Sequence, residues 1–232
     1  MKINEIPKIL LGTSPFIGAG QFGIKSYYYY KYFYENPKNM EKIILKSYNL
    51  GIKGIQALPY DRIIESIKNV ERKINEKFKI IATINSIEDI DKFINLNTIA
   101  FILHASITDS KNLNKILKIL DSIKSLGFLT GLATHKPFSI LKWLLENSID
   151  FDLIMIPFNK LGIFMDEKPE IIYELVKKLE KPIIGKKVLA AGKLNPYEAL
   201  EYASKYLDII ALGIASEKEA IETFSIALKF FK

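Results

Sequence analysis

Short β-branched apolar runs alternate along the whole chain with longer amphipathic stretches. The apolar runs predict eight strands, at residues 8–13, 52–56, 78–84, 98–104, 128–134, 152–157, 182–188 and 207–213. The stretches between them carry apolar residues three and four positions apart, a spacing that predicts helices and is clearest at Leu113, Ile116, Leu117, Leu120 and Ile123. The pattern therefore predicts eight strands and eight helices in alternation.

From residue 13 to residue 213 the predicted strand ends lie on average about 29 residues apart, a normal length for one strand and one helix. Because the alternation never breaks, we expect a parallel sheet with right-handed crossovers, and eight equal units favour its closure into a (β/α)8 TIM barrel. The 232 residues are enough for one large core, so we expect a single α/β domain over residues 1–232. An open doubly wound sheet is the alternative.

One connection is out of scale with the others. Residues 14–37 form a long predicted loop after the first strand, and it is rich in aromatic side chains: Tyr27, Tyr28, Tyr29, Tyr30, Tyr32, Phe33 and Tyr34. Long loops inside a compact domain are usually functional or disordered, and this aromatic density argues against disorder. We interpret the segment as a lid over a pocket, with a contact between copies of the chain through residues 27–34 as the alternative.

The amino-acid composition limits the kinds of molecule that the protein is expected to bind. The 33 basic and 26 acidic residues give a net charge of +7, but the lysines are spread singly along helices, which favours a solvated surface over a nucleic-acid face. Small phosphate-bearing ligands remain reasonable. The absence of cysteine excludes disulfides and thiolate sites. Because no apolar run resembles a signal peptide or a membrane span, we expect a cytoplasmic protein with no membrane partner.

Two histidines end neighbouring predicted strands. His104 closes FILHAS and His135 closes FLTGLATHKP, and residues at the C-terminal ends of barrel strands point into one pocket. Neutral imidazoles there suit a metal site or an acid/base pair, whereas the alternative is simple hydrogen bonding at the rim. A zinc site would need a third ligand, for which Asp61, Asp109 and Asn159 are the candidates. No metal-ligand spacing joins the histidines, so we assign no metal.

Two more strand ends carry groups that suit an anion or a carbonyl. Strand alternation places one of Lys186 and Lys187 inward, and we take Lys187 as the candidate for Schiff-base chemistry or for holding a carbonyl or phosphate, a solvated surface lysine being the alternative. Gly213 and Ser216 precede a helix whose N-terminus could bind an anion. Ser216 with Glu219 also fits an ordinary capping box.

Taken in order, the motifs LGTSPFIGAGQFG, GIKGIQALPYDRIIESIK, FILHA, GLATHKPFSILKWLLENSIDFDLIMIPFN, KKVLAAGKL and IALGIASEKEAIETF resemble the aldo-keto reductase superfamily over nearly the whole chain. The resemblance implies hydride transfer from a nicotinamide cofactor, NADP or NAD, to a small carbonyl compound. In that family a histidine orients the carbonyl, a tyrosine acts as general acid, and a lysine and an aspartate tune the tyrosine.

Only some of the family's catalytic residues have a match in this sequence. His104 matches the histidine, and Tyr60 reaches the tyrosine position if one residue before it is deleted. Gln56 stands at the aspartate position and Ile84 at the lysine position, so the standard tetrad is not intact. The resemblance assigns cofactor binding to Asn159, Lys187, Gly213, Ala215, Ser216 and Lys218, with Lys218 substituting for an absent arginine, and substrate contacts to Thr13, His135 and Phe158.

Three functions remain open. The first is a divergent NAD(P)-dependent oxidoreductase with His104, Tyr60, Gln56 and Lys187 at the chemistry. The second is another enzyme at the same rim, either a metal-assisted hydrolase using His104 and His135 or a Schiff-base lyase using Lys187. The third is a non-catalytic barrel that binds phosphate or a nucleotide.

Overall fold

Eight parallel strands close into a barrel in which each strand pairs with its neighbours in chain order and the last strand pairs with the first. The computed structural model describes residues 3–232. The strands are β1 (Ile9–Gly12), β2 (Gly54–Ala57), β3 (Lys79–Ile84), β4 (Thr98–Leu103), β5 (Leu129–Ala133), β6 (Leu153–Pro157), β7 (Ile183–Lys186) and β8 (Ile209–Gly213). The predicted (β/α)8 barrel is confirmed, and the open sheet is wrong.

Helices cover the outside of the barrel. They are α1 (Lys25–Tyr29), α2 (Pro37–Asn49), α3 (Asp61–Ile74), α4 (Ile90–Phe93), α5 (Ala105–Thr108), α6 (Leu113–Ser125), α7 (Pro137–Asn147), α8 (Pro169–Leu179), α9 (Pro196–Ser204) and α10 (Glu217–Phe230). The expectation of eight equal units fails after β3, where the short connection to β4 holds a 3₁₀ turn at Ile87–Asp89 and the one-turn α4. Proline stands at the first helical position of α2, α7, α8 and α9, where its missing N–H costs nothing.

Side chains alternate between the barrel interior and the layer under the helices. Leu10, Ile81, Leu153 and Ile184 belong to the cluster inside the barrel, whereas their chain neighbours pack in the larger outer cluster. Alternation by two then carries the inward row of β2, β3 and β7 to Gln56, Thr83 and Lys186 at the C-terminal ends. The barrel is therefore apolar at its centre and polar at the mouth.

The aromatic segment after β1 is short helices rather than the long loop expected from the sequence. It forms 3₁₀ turns at Ser14–Ile17 and Gly20–Phe22, then α1, then a π-helical turn at Tyr30–Tyr34. Ser26 Oγ donates to the carbonyl of Ala19 at 2.8 Å, and the buried ring of Phe33 lies 5.1 Å from that of Phe16. We call residues 14–34 the cap.

No helix in residues 3–232 combines the length and the apolar character that a bilayer crossing requires.

A buried carboxylate joins α2 to α3. Glu41 is 4% exposed, and its oxygens accept from Lys73 Nζ at 2.7 Å and from Asn69 Nδ2 at 2.8 Å, with Lys38 Nζ at 3.1 Å. Burial alone would raise the pKa of Glu41, but these donors outweigh it and lower the pKa to about 2. The ionised carboxylate therefore holds the two helices together.

We expect Glu41→Gln to lower the free energy of unfolding at pH 7 by about 2 kcal/mol. Because the folded pKa lies below the unfolded one, the contribution of Glu41 is full above about pH 4.5 and is lost as the pH falls toward 2. Urea unfolding at pH 7, 4 and 3 measures this, and the variant should show a flatter pH dependence than the wild type. Glu65→Gln, on the outer face of α3, is the matched control; an equal loss in both variants would contradict the assignment.

Candidate active site

A cavity of about 200 Å³ lies at the C-terminal mouth of the barrel. Strand ends supply most of its wall, and the cap closes one side with Ser14, Ile17 and Gln21. The strand-end side chains at the cavity are those of Gln56, Thr83, His104, His135, Lys186 and Lys187. The structure thus brings both histidines and the lysine pair to one place, as the strand-end argument predicts.

A second cavity, of about 230 Å³, adjoins the first between the cap and the ends of β7 and β8. Lys25 and Tyr29 of the cap, Gly213 of β8 and Glu219 of α10 line it. We call the first cavity the mouth and the second the cleft. Both are lined by Ser14, Gln21, Gln56, Lys186 and Lys187. A ligand in the mouth and a ligand in the cleft would therefore meet at the two lysines.

His104 is held in one orientation at the start of α5. Its Nδ1 accepts the backbone N–H of Ser106 at 3.2 Å and lies 2.9 Å from Ser106 Oγ. Because Nδ1 is an acceptor, the neutral ring carries its proton on Nε2. Burial lowers the pKa of His104, the charge of Lys186 lowers it further, and Asp109 opposes both. His104 is therefore a neutral hydrogen-bond donor.

His135 packs edge-on against His104, with the ring centroids 5.8 Å apart. Partial burial lowers its pKa, and the charges of Lys186 and Lys187 together with His104 add to the effect. Two neutral imidazoles consequently share the mouth.

Asp109 positions the turn that carries His135 and does not act as a free ligand. Its Oδ1 accepts from Thr134 Oγ1 at 2.5 Å and its Oδ2 from the backbone N–H of His135 at 3.1 Å. The other third-ligand candidates lie elsewhere: Asp61 pairs with Lys92 at 3.2 Å, and Asn159 braces the loop after β6. No group of three or more metal-ligating acidic, histidine or cysteine side chains occurs within the described part of the chain.

Gln56 and Thr83 form a polar pair across β2 and β3. Gln56 Nε2 donates to Thr83 Oγ1 at 2.8 Å. Ile84, which the resemblance sets at the family's lysine position, packs in the outer cluster instead. Sequence comparison missed Thr83, although the two-residue alternation from Ile81 indicates that it faces inward.

Lys186, and not only the expected Lys187, belongs to the site. Lys186 ends β7 on the inward row, and no carboxylate within residues 3–232 lies within ion-pair distance of its Nζ. Burial lowers the pKa of Lys186 to about 7, with Lys187 adding to the effect and Asp109 opposing it. Lys187 has a left-handed backbone with φ of 58° and places its Nζ 4.5 Å from the ring centre of Phe164; burial lowers its pKa as well.

The structure does not bring Tyr60 to either cavity. Tyr60 precedes α3, is 39% exposed, and packs edge-on against Tyr34 with ring centroids 5.9 Å apart. Tyr60 lines neither cavity, so the tyrosine that the resemblance assigns as general acid does not stand in the mouth with His104.

Three other expected contacts are structural. Thr13 is buried, and its Oγ1 accepts the N–H of Leu58 at 3.0 Å, which ties β1 to β2. Phe158 packs under the helices against Tyr202 and Tyr206. Asn159 is buried with its amide bonded to the backbone of Ile163 and Lys187. None of the three lines the mouth or the cleft.

The expected anion site before α10 is partly filled by the chain itself. Ser216 Oγ accepts the N–H of Glu219 at 3.1 Å, as the capping box predicts, but the carboxylate of Glu219 accepts the N–H of Ala215 at 2.8 Å. Burial raises the pKa of Glu219, while the Ala215 N–H and Lys25 oppose the shift. Gly213 lines the cleft, and Lys218 does not. The sequence did not predict Lys25 and Glu219 as lining residues, because Lys25 lies in the cap and Glu219 in α10, and only the folded structure places both at the cleft.

Solved structures with the same fold include several aldo-keto reductases. A provisional aldo-keto reductase of Pseudomonas aeruginosa has a TM-score of 0.71 at 18% identity, covering 98% of this chain and 92% of its own. A glycerol dehydrogenase of Gluconobacter oxydans has a TM-score of 0.66 at 11% identity, with 95% and 86% covered. An aldo/keto reductase of Brucella melitensis has a TM-score of 0.64 at 11% identity, with 97% and 92% covered.

No protein-family model and no curated protein matches the chain. At the identities above, the likeness shows that the chain has the aldo-keto reductase fold.

We expect both histidine rings to stay neutral at pH values where free histidine is half protonated, because burial and the neighbouring lysines lower both pKa values. Titration of the Hε1 and Cε1 resonances by NMR measures this, and both midpoints should lie below about 6.5. Nitrogen shifts should show His104 with its proton on Nε2. Assignment by His104→Gln and His135→Gln separates the two signals, and a midpoint above 6.5 for either ring would contradict the described electrostatics.

Proposed function

We propose that this barrel is an aldo-keto reductase-like oxidoreductase that reduces a small carbonyl compound with a nicotinamide cofactor, using His104 to orient the carbonyl and Lys186 as the proton donor. The single observation that carries the proposal is the position of Lys186 in the wall shared by the mouth and the cleft, with the neutral His104 lining the same mouth. The fold shared with the aldo-keto reductases supports it at a coarser level.

His104 suits the orienting role. Its Nδ1 is occupied by Ser106, so its Nε2–H is the group left to donate to a carbonyl oxygen in the mouth. A donor that is already fixed needs no reorganisation as negative charge develops on that oxygen.

Lys186 suits the proton-donating role that Tyr60 cannot fill from its place beside Tyr34. General acids work best when their pKa is close to the operating pH, and the pKa of Lys186 is lowered to about 7. The ammonium form can release a proton to the alkoxide oxygen that a reduced carbonyl leaves behind. The surrounding donors Gln56 and His104 hold that oxygen near the mouth.

The cleft fits a dinucleotide that carries a free ribose hydroxyl better than one that carries an added phosphate. Lys25 offers a cation to a diphosphate, while the Glu219 carboxylate can accept from a hydroxyl and repels a 2′-phosphate. A bound nicotinamide cofactor would supply the hydride. The donor set of the cleft therefore favours NAD over NADP.

We expect NADH to bind more tightly than NADPH by about tenfold, because one additional anion would face Glu219. Cofactor fluorescence titration at constant ionic strength measures both dissociation constants. Glu219→Gln should narrow the difference, whereas Glu217→Gln, on the first turn of α10 and outside the cleft, should leave it unchanged. Absence of binding for both cofactors at millimolar concentration would contradict the proposed function.

We expect His104→Ala and Lys186→Met each to lower kcat for aldehyde reduction by about 10²-fold or more, the usual range for an acid or an oriented donor. Tyr60→Phe should retain most of the activity because its ring lies outside both cavities. The wild-type kcat/KM should fall as the pH rises above about 7, where Lys186 loses its proton. Steady-state oxidation of NADH measures the three variants and the wild-type pH profile. A large loss of activity in Tyr60→Phe would support the tyrosine-based mechanism instead.

A further inference from the structure

Lys186 is an amine with no acidic partner, in the wall shared by the mouth and the cleft. It ends β7 with its side chain on the inward row and lines both the mouth and the cleft. Most lysines of the barrel surface are free to extend into water or to pair with a neighbouring acid. Lys186 does neither, because the cap and the strand ends enclose it.

The charged and titratable groups around Lys186 favour its neutral form. From the β4 side it faces His104 and Asp109, from the β5 side His135, and along its own strand Lys187. Asp109 is the one acid in that set, and its oxygens are bonded to Thr134 and to the backbone of His135. The cleft adds Lys25 and a Glu219 whose carboxylate is held by Ala215.

We propose that Lys186 forms an imine with a small aldehyde or 2-oxo acid bound in the mouth, and that it does so without any cofactor. Lys187 lines the same connected space with no carboxylate within ion-pair distance among the described residues, and Lys25 adds a further cation at the cleft, so a carbonyl compound carrying its own acid group is the favoured ligand class. This reactivity does not rest on the proposed reductase function.

The condensation is balanced and involves no change of oxidation state. The Nζ lone pair attacks the carbonyl carbon, the C–N bond forms, and the electrons of the C=O π bond move to oxygen. A proton passes from nitrogen to that oxygen to give the carbinolamine. The remaining nitrogen proton then passes to the hydroxyl, the C–O bond breaks to release water, and nitrogen and carbon form the C=N bond. His104 Nε2–H donates a hydrogen bond to the oxygen while it carries negative charge.

The same residue can serve both reactions because its two protonation states are both populated near neutral pH. With a pKa of about 7, roughly half of Lys186 is neutral at pH 7, whereas an ordinary lysine is neutral in roughly one molecule in a few thousand. The ammonium form donates the proton in reduction, and the amine form condenses. The two reactions therefore compete for one carbonyl and have opposite pH dependences.

Reductive trapping tests the proposal. The full chain is mixed at pH 7 with glyoxylate and cyanoborohydride, without nicotinamide cofactor, and the carboxymethylated lysines are located by peptide mass spectrometry with a protease that does not cut at lysine. We expect Lys186 to be modified about 10³-fold faster than exposed lysines, in line with its larger neutral fraction. The rate at Lys186 should level off above about pH 7, while exposed lysines keep accelerating toward pH 10.

Matched variants make the result specific. Lys193→Arg, at an exposed lysine outside both cavities, should retain the fast modification of residue 186, and Lys186→Arg should lose it without a faster reaction appearing elsewhere. If Lys186→Arg unfolds, competition decides the matter, because oxalate should slow the trapping of Lys186 in the wild type and leave exposed lysines unaffected. Uniform modification of Lys186 and exposed lysines, or equal trapping of Lys187, would overturn the proposal. Failure to bind NADH would overturn only the reductase.

Discussion

Closure of the barrel leaves each strand side chain with two destinations, the interior or the layer under the helices, and the choice alternates strictly along the strand. The part of the site that the strands supply follows from that constraint. The inward rows of β2, β3 and β7 run from apolar residues at the centre to Gln56, Thr83 and Lys186 at the mouth. A shift of one residue in β2 or β3 would send the polar group under a helix and bring an isoleucine or an alanine into the mouth.

Charge at the mouth is the second organising feature. Three lysines line the connected cavities, against one glutamate that is already bonded to the backbone. Both carboxylate oxygens of the nearby Asp109 already accept hydrogen bonds from the turn before α7. Positive charge enclosed without compensation is costly, and the structure meets that cost by lowering the pKa of Lys186 and Lys187 and by keeping both histidines neutral. The site therefore offers a ligand neutral hydrogen-bond donors and lysine amines.

The sequence pattern was sufficient for the architecture and for part of the site. The unbroken alternation of eight β-branched runs with helical stretches predicts the closed barrel, and histidines at strand ends predict the mouth, because both depend on short-range periodicity. Choosing between Lys186 and Lys187 requires the residue at which β7 ends, and a one-residue uncertainty reverses the answer. The position of the Tyr60 ring depends on tertiary structure instead. The ring packs on Tyr34, a residue of the cap, and does not line the mouth.

The cap could not be foreseen because its short helices depend on tertiary packing rather than on their own periodicity. Isolated helices of one or two turns are unstable in water, and α1 survives because Phe33 is buried against Phe16 and Ser26 is bonded to Ala19. Opening the cap as a rigid flap would expose that aromatic core. Ligand exchange is therefore expected to proceed by rotation of the side chains at its rim, such as Gln21 and Lys25, and the rate of entry should be insensitive to the hinge mutations that slow enzymes with swinging loops.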